Sequence, residues 1–196
     1  SATAAAYDVA NSCRFNSGDT AFMNKTPGSA GDRKTNTFSC WVKRGILGSD
    51  QNIIYAQTDT SNYTRIRFLA ANSLQIAGVA GGSTAIELNT TRLFRDSSAW
   101  YHICLAVDTT QGTAANRIKL YINGTQETAF SISDYPDGDH DSQFCNASEH
   151  RVGKGNGEPF DGYLAEVCFI DGQQLTPSSF GEFDSASPTI WKPIDV

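Results

Sequence analysis

Hydrophobic and polar positions alternate with a period of two along most of this chain, the signature of half-buried strands. The stretch YTRIRFLAANSLQIAGV reads as two strands around a turn at Ala71-Asn72-Ser73. Ile66 and Phe68 fall on one face, Arg65 and Arg67 on the other. In NRIKLYINGTQETAFSI, Ile118, Leu120 and Ile122 alternate with Lys119 and Tyr121. Asn123-Gly124 then supplies the pair of left-handed residues that a two-residue hairpin turn requires. Further strands are predicted near 12–16, 20–24, 35–44, 51–57, 84–90, 99–108, 149–153 and 162–170. Helix signals are nearly absent. Thr176-Pro177-Ser178-Ser179-Phe180-Gly181 has an N-cap residue, a proline and a glycine stop, which predicts one short helical turn. Short strands with turn signals about every 8–12 residues predict an all-β fold, a two-sheet antiparallel β-sandwich.

The run SAWYHICLAVDTT sharpens this picture. Strand geometry sends Ile103, Leu105 and Val107 one way, and Trp100, His102, Cys104 and Ala106 the other. Both faces are largely apolar, as in a central strand covered on each side. His102 therefore reads as a satisfied core histidine rather than a general base. Asp108 suits a turn-initiating role before the loop TTQGTAAN.

Length and charge narrow the setting. The 196 residues, 39% of them hydrophobic, suffice for one substantial core, read as a single domain over 12–196 after an N-terminal arm over 1–11. A formal charge of −6 without any cluster of Lys and Arg argues against nucleic acid as a partner. No apolar run reaches membrane-spanning length, and no leader pattern opens the chain, so neither a membrane nor a secretory route is expected. The five cysteines (Cys13, Cys40, Cys104, Cys145 and Cys168) form no C-x-x-C pair. Free thiols in a reducing compartment are expected, with a Cys13–Cys145 bridge as the alternative.

Candidate chemistry is sparse. No nucleophile elbow, P-loop, H-E-x-x-H or dinucleotide fingerprint occurs. The densest polar cluster is SDYPDGDHDSQF, which gathers Asp134, Asp137, Asp139, His140 and Asp141 around Tyr135. An aromatic ring beside carboxylates suits a sugar, so Tyr135, Asp137, Asp139, His140 and Asp141 form the candidate glycan site. Aspartates at alternate positions can also wrap a calcium ion. Asp137, Asp139 and Asp141 are therefore the metal candidates, although the loop lacks an EF-hand's bidentate Glu. No other cofactor is expected.

Three segments carry a family resemblance: CRFNSGDTAFMNKTPGSAGDRKTNTFSCWVKRG, FRDSSAWYHICLAVDTTQGTAANRIKLYINGTQ and FDGYLAEVCFIDGQQLTPSSFGEFD. In this order they resemble a laminin-G-like, concanavalin A-like jelly-roll module, notably those in structural proteins of marine bacteriophages. The resemblance implies a sandwich whose loops or concave face bind glycans or protein surfaces. It also implies a non-enzymatic virion protein, a capsid decoration, head-fibre or tail-fibre module assembled in the host cytoplasm. Its partners would be other virion proteins, further copies of itself and a host surface glycan. A surface or secreted lectin, calcium-dependent or not, is the alternative. Glucanases of the superfamily carry E-x-D-x-x-E on one strand. Here DGYLAEVCFIDG spaces Asp161, Glu166 and Asp171 five apart, so a glycoside hydrolase is disfavoured. Glu166 shares a face with Leu164, Cys168 and Ile170 in regular alternation, and is expected to be a buried, structurally paired carboxylate.

Overall fold

A computed structural model describes residues 7–196. Its strands are β1 (Cys13–Phe15), β2 (Met23–Lys25), β3 (Thr35–Arg44), β4 (Gln51–Asp59), β5 (Asn62–Phe68) and β6 (Ser73–Ala80). They continue with β7 (Ser83–Leu93), β8 (Tyr101–Asp108), β9 (Ile118–Ile122), β10 (Thr125–Glu127), β11 (Phe130–Asp134) and β12 (Glu149–Val152). The last are β13 (Lys154–Gly155), β14 (Glu158–Pro159), β15 (Gly162–Asp171), β16 (Gly181–Phe183) and β17 (Trp191–Pro193). One helical turn, α1 (Ala114–Arg117), precedes β9, and 3-10 turns occupy Ser17–Asp19 and Pro177–Ser179. Among the described residues no helix is long and apolar enough to cross a membrane.

Two sheets form the sandwich: six strands in the order β1-β15-β3-β8-β9-β10 and seven in the order β11-β7-β6-β5-β4-β12-β2. Every pairing is antiparallel. Alternation decides what lies between them. Phe38, Cys40 and Val42 of β3, and Ile103, Leu105 and Val107 of β8, meet Ile66, Phe68, Leu74, Ile76 and Leu88 from the other sheet. Burying each such aliphatic or aromatic side chain contributes roughly 1.5–3 kcal/mol. The turns follow their sequence signals: Asn72 has φ 71°, and Asn123 and Gly124 have φ 49° and 77°.

Three expectations need correction. The strand after Asn123-Gly124 does not run on through Ile132. It stops at Glu127, and β11 pairs with β7 in the opposite sheet. The crossing is fastened by the Arg92–Glu127 ion pair at 2.7 Å and by Thr91 N–H donating to the Ala129 carbonyl. Glu166 is not a buried carboxylate beside Leu164. Between Ala165 opposite Trp41 and Cys168 opposite Ser39, Glu166 and Val167 of β15 face the single residue Cys40 of β3, so β15 carries one extra residue. This bulge holds Glu166 at φ 46° and partly exposed. Leu164 thus faces the core before the bulge, and Phe169 packs against it afterwards. Finally, Trp100 precedes β8 and is 37% exposed rather than buried with His102.

All five cysteines are free thiols, Cys13 exposed and Cys145 buried. Residues 1–6 of the expected arm lie outside the described residues, and residues 7–12 form no strand. Arg44, at the end of β3, is a core charge that alternation does not announce. It is 1% exposed, donates to the Phe94 carbonyl at 2.7 Å and to Asn72 Oδ1 at 3.1 Å, and lies 4.4 Å over the Phe68 ring. Burial lowers its pKa to about 10.

Candidate functional site

His102 is fully buried against the outer side of the six-stranded sheet. Trp191 donates its indole N–H to Nδ1 at 3.0 Å, so the proton sits on Nε2, which donates to Ser39 Oγ at 2.8 Å. Burial holds its pKa down to about 4, keeping the ring neutral. Every polar atom of this imidazole is satisfied by the protein, so it is framework.

The acidic loop is likewise occupied by its own chain. Arg117 donates to the Pro136 carbonyl at 2.7 Å, and Thr109 Oγ1 to that of His140 at 2.8 Å. Arg33 donates to the carbonyls of Asp141 and Ser142 at 3.1 and 2.8 Å. The backbone oxygens of Pro136, His140, Asp141 and Ser142 are thus engaged by protein donors, two of them arginines. Asp139 pairs with Lys34 at 3.1 Å, and Asp137 and Asp141 stay exposed. Among the described residues no three His, Cys, Asp or Glu side chains are grouped to hold a metal ion. Tyr135 packs against the core and is partly buried. His140 is half-buried, and that burial lowers its pKa. The five residues share one loop, with Asp137, Asp139 and Asp141 exposed on it.

The outward face of the seven-stranded sheet is different. Strand register lays its side chains in rows. One row runs Ile132, Asn89, Gln75, Arg67, Asn52 from β11 to β4. The next runs Asp134, Glu87, Ala77, Arg65, Tyr55, Arg151, Asn24 across all seven strands. A third carries Val79, Tyr63, Gln57 and Glu149. Alternation makes this inevitable: Ile66, Phe68, Ile76 and Leu88 point inward, so their polar neighbours point out.

These side chains hold one another. Arg67 donates to Gln75 Oε1 at 2.6 Å, to Asp50 at 2.7 Å and to Glu158 at 2.8 Å. Glu158, brought over the face by the β13–β14 hairpin, also accepts from Asn52 at 2.7 Å and from Arg65 at 3.5 Å. Gln75 and Asn89 both donate to Glu87 Oε1 at 3.2 Å. Tyr55 and Tyr63 stack with centroids 5.6 Å apart, and Arg65 lies 5.1 Å over the Tyr63 ring. Burial and the neighbouring Arg67 lower the Arg65 pKa. Hydrogen bonds from Arg151 and Asn24 lower that of Glu149. The network is incomplete by itself. Asn52 Oδ1, Asn89 Oδ1, Arg65 Nε and Arg151 Nε are buried without a hydrogen-bond partner among the described residues. The sequence displayed Arg65 and Arg67 on one strand face. The rows depend on a register that no single strand reveals.

Known proteins place the fold. The chain is similar to the heptameric SAP-like pentraxin of Limulus polyphemus, with TM-score 0.57 and 15% identity over 81% of this chain and 72% of that one. It is also similar to domain 4 of AbnA, an extracellular arabinanase of Geobacillus stearothermophilus solved with arabinotriose. That likeness has TM-score 0.55 and 20% identity, over 76% of this chain and 65% of that one. Mouse laminin α1 domains LG4-5 match at TM-score 0.57 and 13% identity, over 89% of this chain and 45% of that one. The chain thus spans less than two thirds of the latter two. No curated protein sequence matches it. The laminin G family model for the concanavalin A-like lectin/glucanases superfamily matches residues 16–178, and the chain belongs to that superfamily.

Proposed function

We propose that the protein is a non-catalytic carbohydrate-adhesion module whose ligand surface is the outward face of the seven-stranded sheet. One observation carries this reading: the register aligns amide, guanidinium, carboxylate and phenol groups in rows, as a hydroxyl-rich ligand requires. Asp50, Glu87, Asp134, Glu149 and Glu158 outnumber Arg65, Arg67 and Arg151 there, which favours a neutral glycan over an anionic one. The same geometry disfavours hydrolysis. A glycosidase acid is a carboxyl kept protonated by apolar surroundings. Glu158, Asp50 and Glu149 instead accept from guanidinium groups.

The resemblance of the three sequence segments to phage structural proteins supports the setting. In this reading, repeated copies or a homo-oligomer sit on the outside of a virion, contact its other proteins and reach a host surface glycan. A glycan array probed with and without chelator tests the binding. Retention of neutral glycans in both arms is expected. An empty array, chelator-sensitive binding or turnover of a bound β-glucan would contradict the reading. Mass spectrometry of purified particles tests the setting, with this chain among the virion proteins as the expected result and its absence as the contrary one.

A further inference from the structure

Large aromatic side chains remain exposed on the opposite sheet, where the N-terminal segment crosses it. Tyr7 and Trp100 are each 37% exposed and Tyr163 38%, while Trp41 is 9% exposed. A recess of 330 Å³ opens between residues 7–12, Trp41, Trp100 and Pro193. The two indoles give it an apolar wall, and Asp8, Asn11 and Ser12 also line it. Trp100 leans on Tyr163 at 6.5 Å, and Arg14 lies 5.3 Å over that Tyr163 ring while pairing with Asp161 at 3.0 Å. The guanidinium beside this aromatic group disfavours a second cation there, which sets aside a quaternary ammonium ligand. Indole rings and short polar side chains lining one recess match one sugar ring, whose C–H face stacks while its hydroxyls hydrogen-bond.

We propose that this recess is a second carbohydrate subsite, taking a single neutral sugar residue against Trp100 and Trp41. It lies on the other sheet from the rows of Arg67 and Glu87, and it stands or falls separately from them. The third tryptophan, Trp191, is stacked on His102 and does not line the recess.

The chain has three tryptophans, so a ¹H–¹⁵N spectrum of the full protein has three indole N–H signals to follow. The probes are arabinotriose, cellotriose, maltotriose and mannotriose, each titrated to about 10 mM, enough to reveal millimolar affinity. With at least one probe, the Trp100 and Trp41 signals are expected to move while that of Trp191 stays. Glu87→Ala is expected to leave this response intact. Tyr7→Ala should weaken it about tenfold, and Trp100→Ala should abolish the Trp41 shift. Stationary Trp100 and Trp41 signals with every probe would overturn the proposal, even if backbone signals of the other sheet move. So would an undiminished Trp41 shift in Trp100→Ala.

Discussion

Trp191 donates its indole N–H to Nδ1 of His102 across 3.0 Å, and the two rings stack with centroids 5.8 Å apart. Eighty-nine residues separate them in sequence. The contact fastens the β16–β17 hairpin onto the six-stranded sheet and fixes the histidine as a neutral acceptor at Nδ1. Stability should therefore depend on pH through this group. The unfolded ring titrates near its ordinary value of 6.5, the folded ring near 4, so the unfolded state binds the extra proton between them. Stability is full above pH 6.5 and falls as pH drops toward 4, by about 3 kcal/mol at most for such a shift. Burial lowers the pKa of His140 and His150 in the same sense. Denaturant midpoints of wild type and His102→Gln, measured across this window, isolate the contribution of His102. A smaller acid loss is expected in the variant, and identical curves would refute the assignment.

Gly124 joins the hairpin turn to this clamp. It sits at φ 77°, and a Cβ placed there would come within 2.3 Å of Trp191 Cε3. Gly124→Ala should cost more than about 2 kcal/mol, from backbone strain of about 1–2 kcal/mol plus displacement of the indole. Urea unfolding measures it. A change below about 0.5 kcal/mol, typical of an inconsequential surface substitution, would show that the indole does not seat on the turn.

Arg44 closes one end of the core without a carboxylate partner among the described residues. Arg44→Ala should destabilise by about 3–5 kcal/mol, because it strands the Phe94 carbonyl and empties the space against Phe68. Thermal and urea unfolding report the loss. A near-neutral outcome would mean that water readily replaces the guanidinium.

Calcium should not stabilise the fold. In the loop over 134–141, the carbonyl oxygens of Pro136, His140 and Asp141 accept from Arg117, Thr109 and Arg33. An ion at a hundred times its dissociation constant would add about 2.7 kcal/mol to stability. Unfolding midpoints with about 10 mM calcium and with chelator are expected to coincide to within about 1 °C. A rise with calcium would restore Asp137, Asp139 and Asp141 as ligands.

Alternation made most of the sandwich legible. β3 spans Thr35–Arg44, and the turns at Asn72 and Asn123-Gly124 adopt the left-handed backbone that their residue types favour. The change of sheet between Glu127 and Phe130 left no such mark, since a strand alternates identically whichever sheet it joins. Nor did the bulge in β15, where a glutamate takes a backbone conformation usually marked by glycine or asparagine. The acidic loop drew attention because its charges adjoin in sequence. The sheet face did not, because Glu87, Gln75, Arg67 and Glu158 meet only through long-range pairing.

The sheet face and the acidic loop therefore stand as rival glycan surfaces, and backbone chemical-shift mapping separates them. A neutral oligosaccharide retained on the array, titrated into ¹⁵N-labelled protein, is expected to move signals around Gln57, Tyr63, Arg67, Gln75, Glu87 and Asn89. Glu87→Ala should weaken that binding about tenfold, the equivalent of about 1.4 kcal/mol. Shifts confined to residues 134–141, with affinity unchanged in Glu87→Ala, would contradict the account.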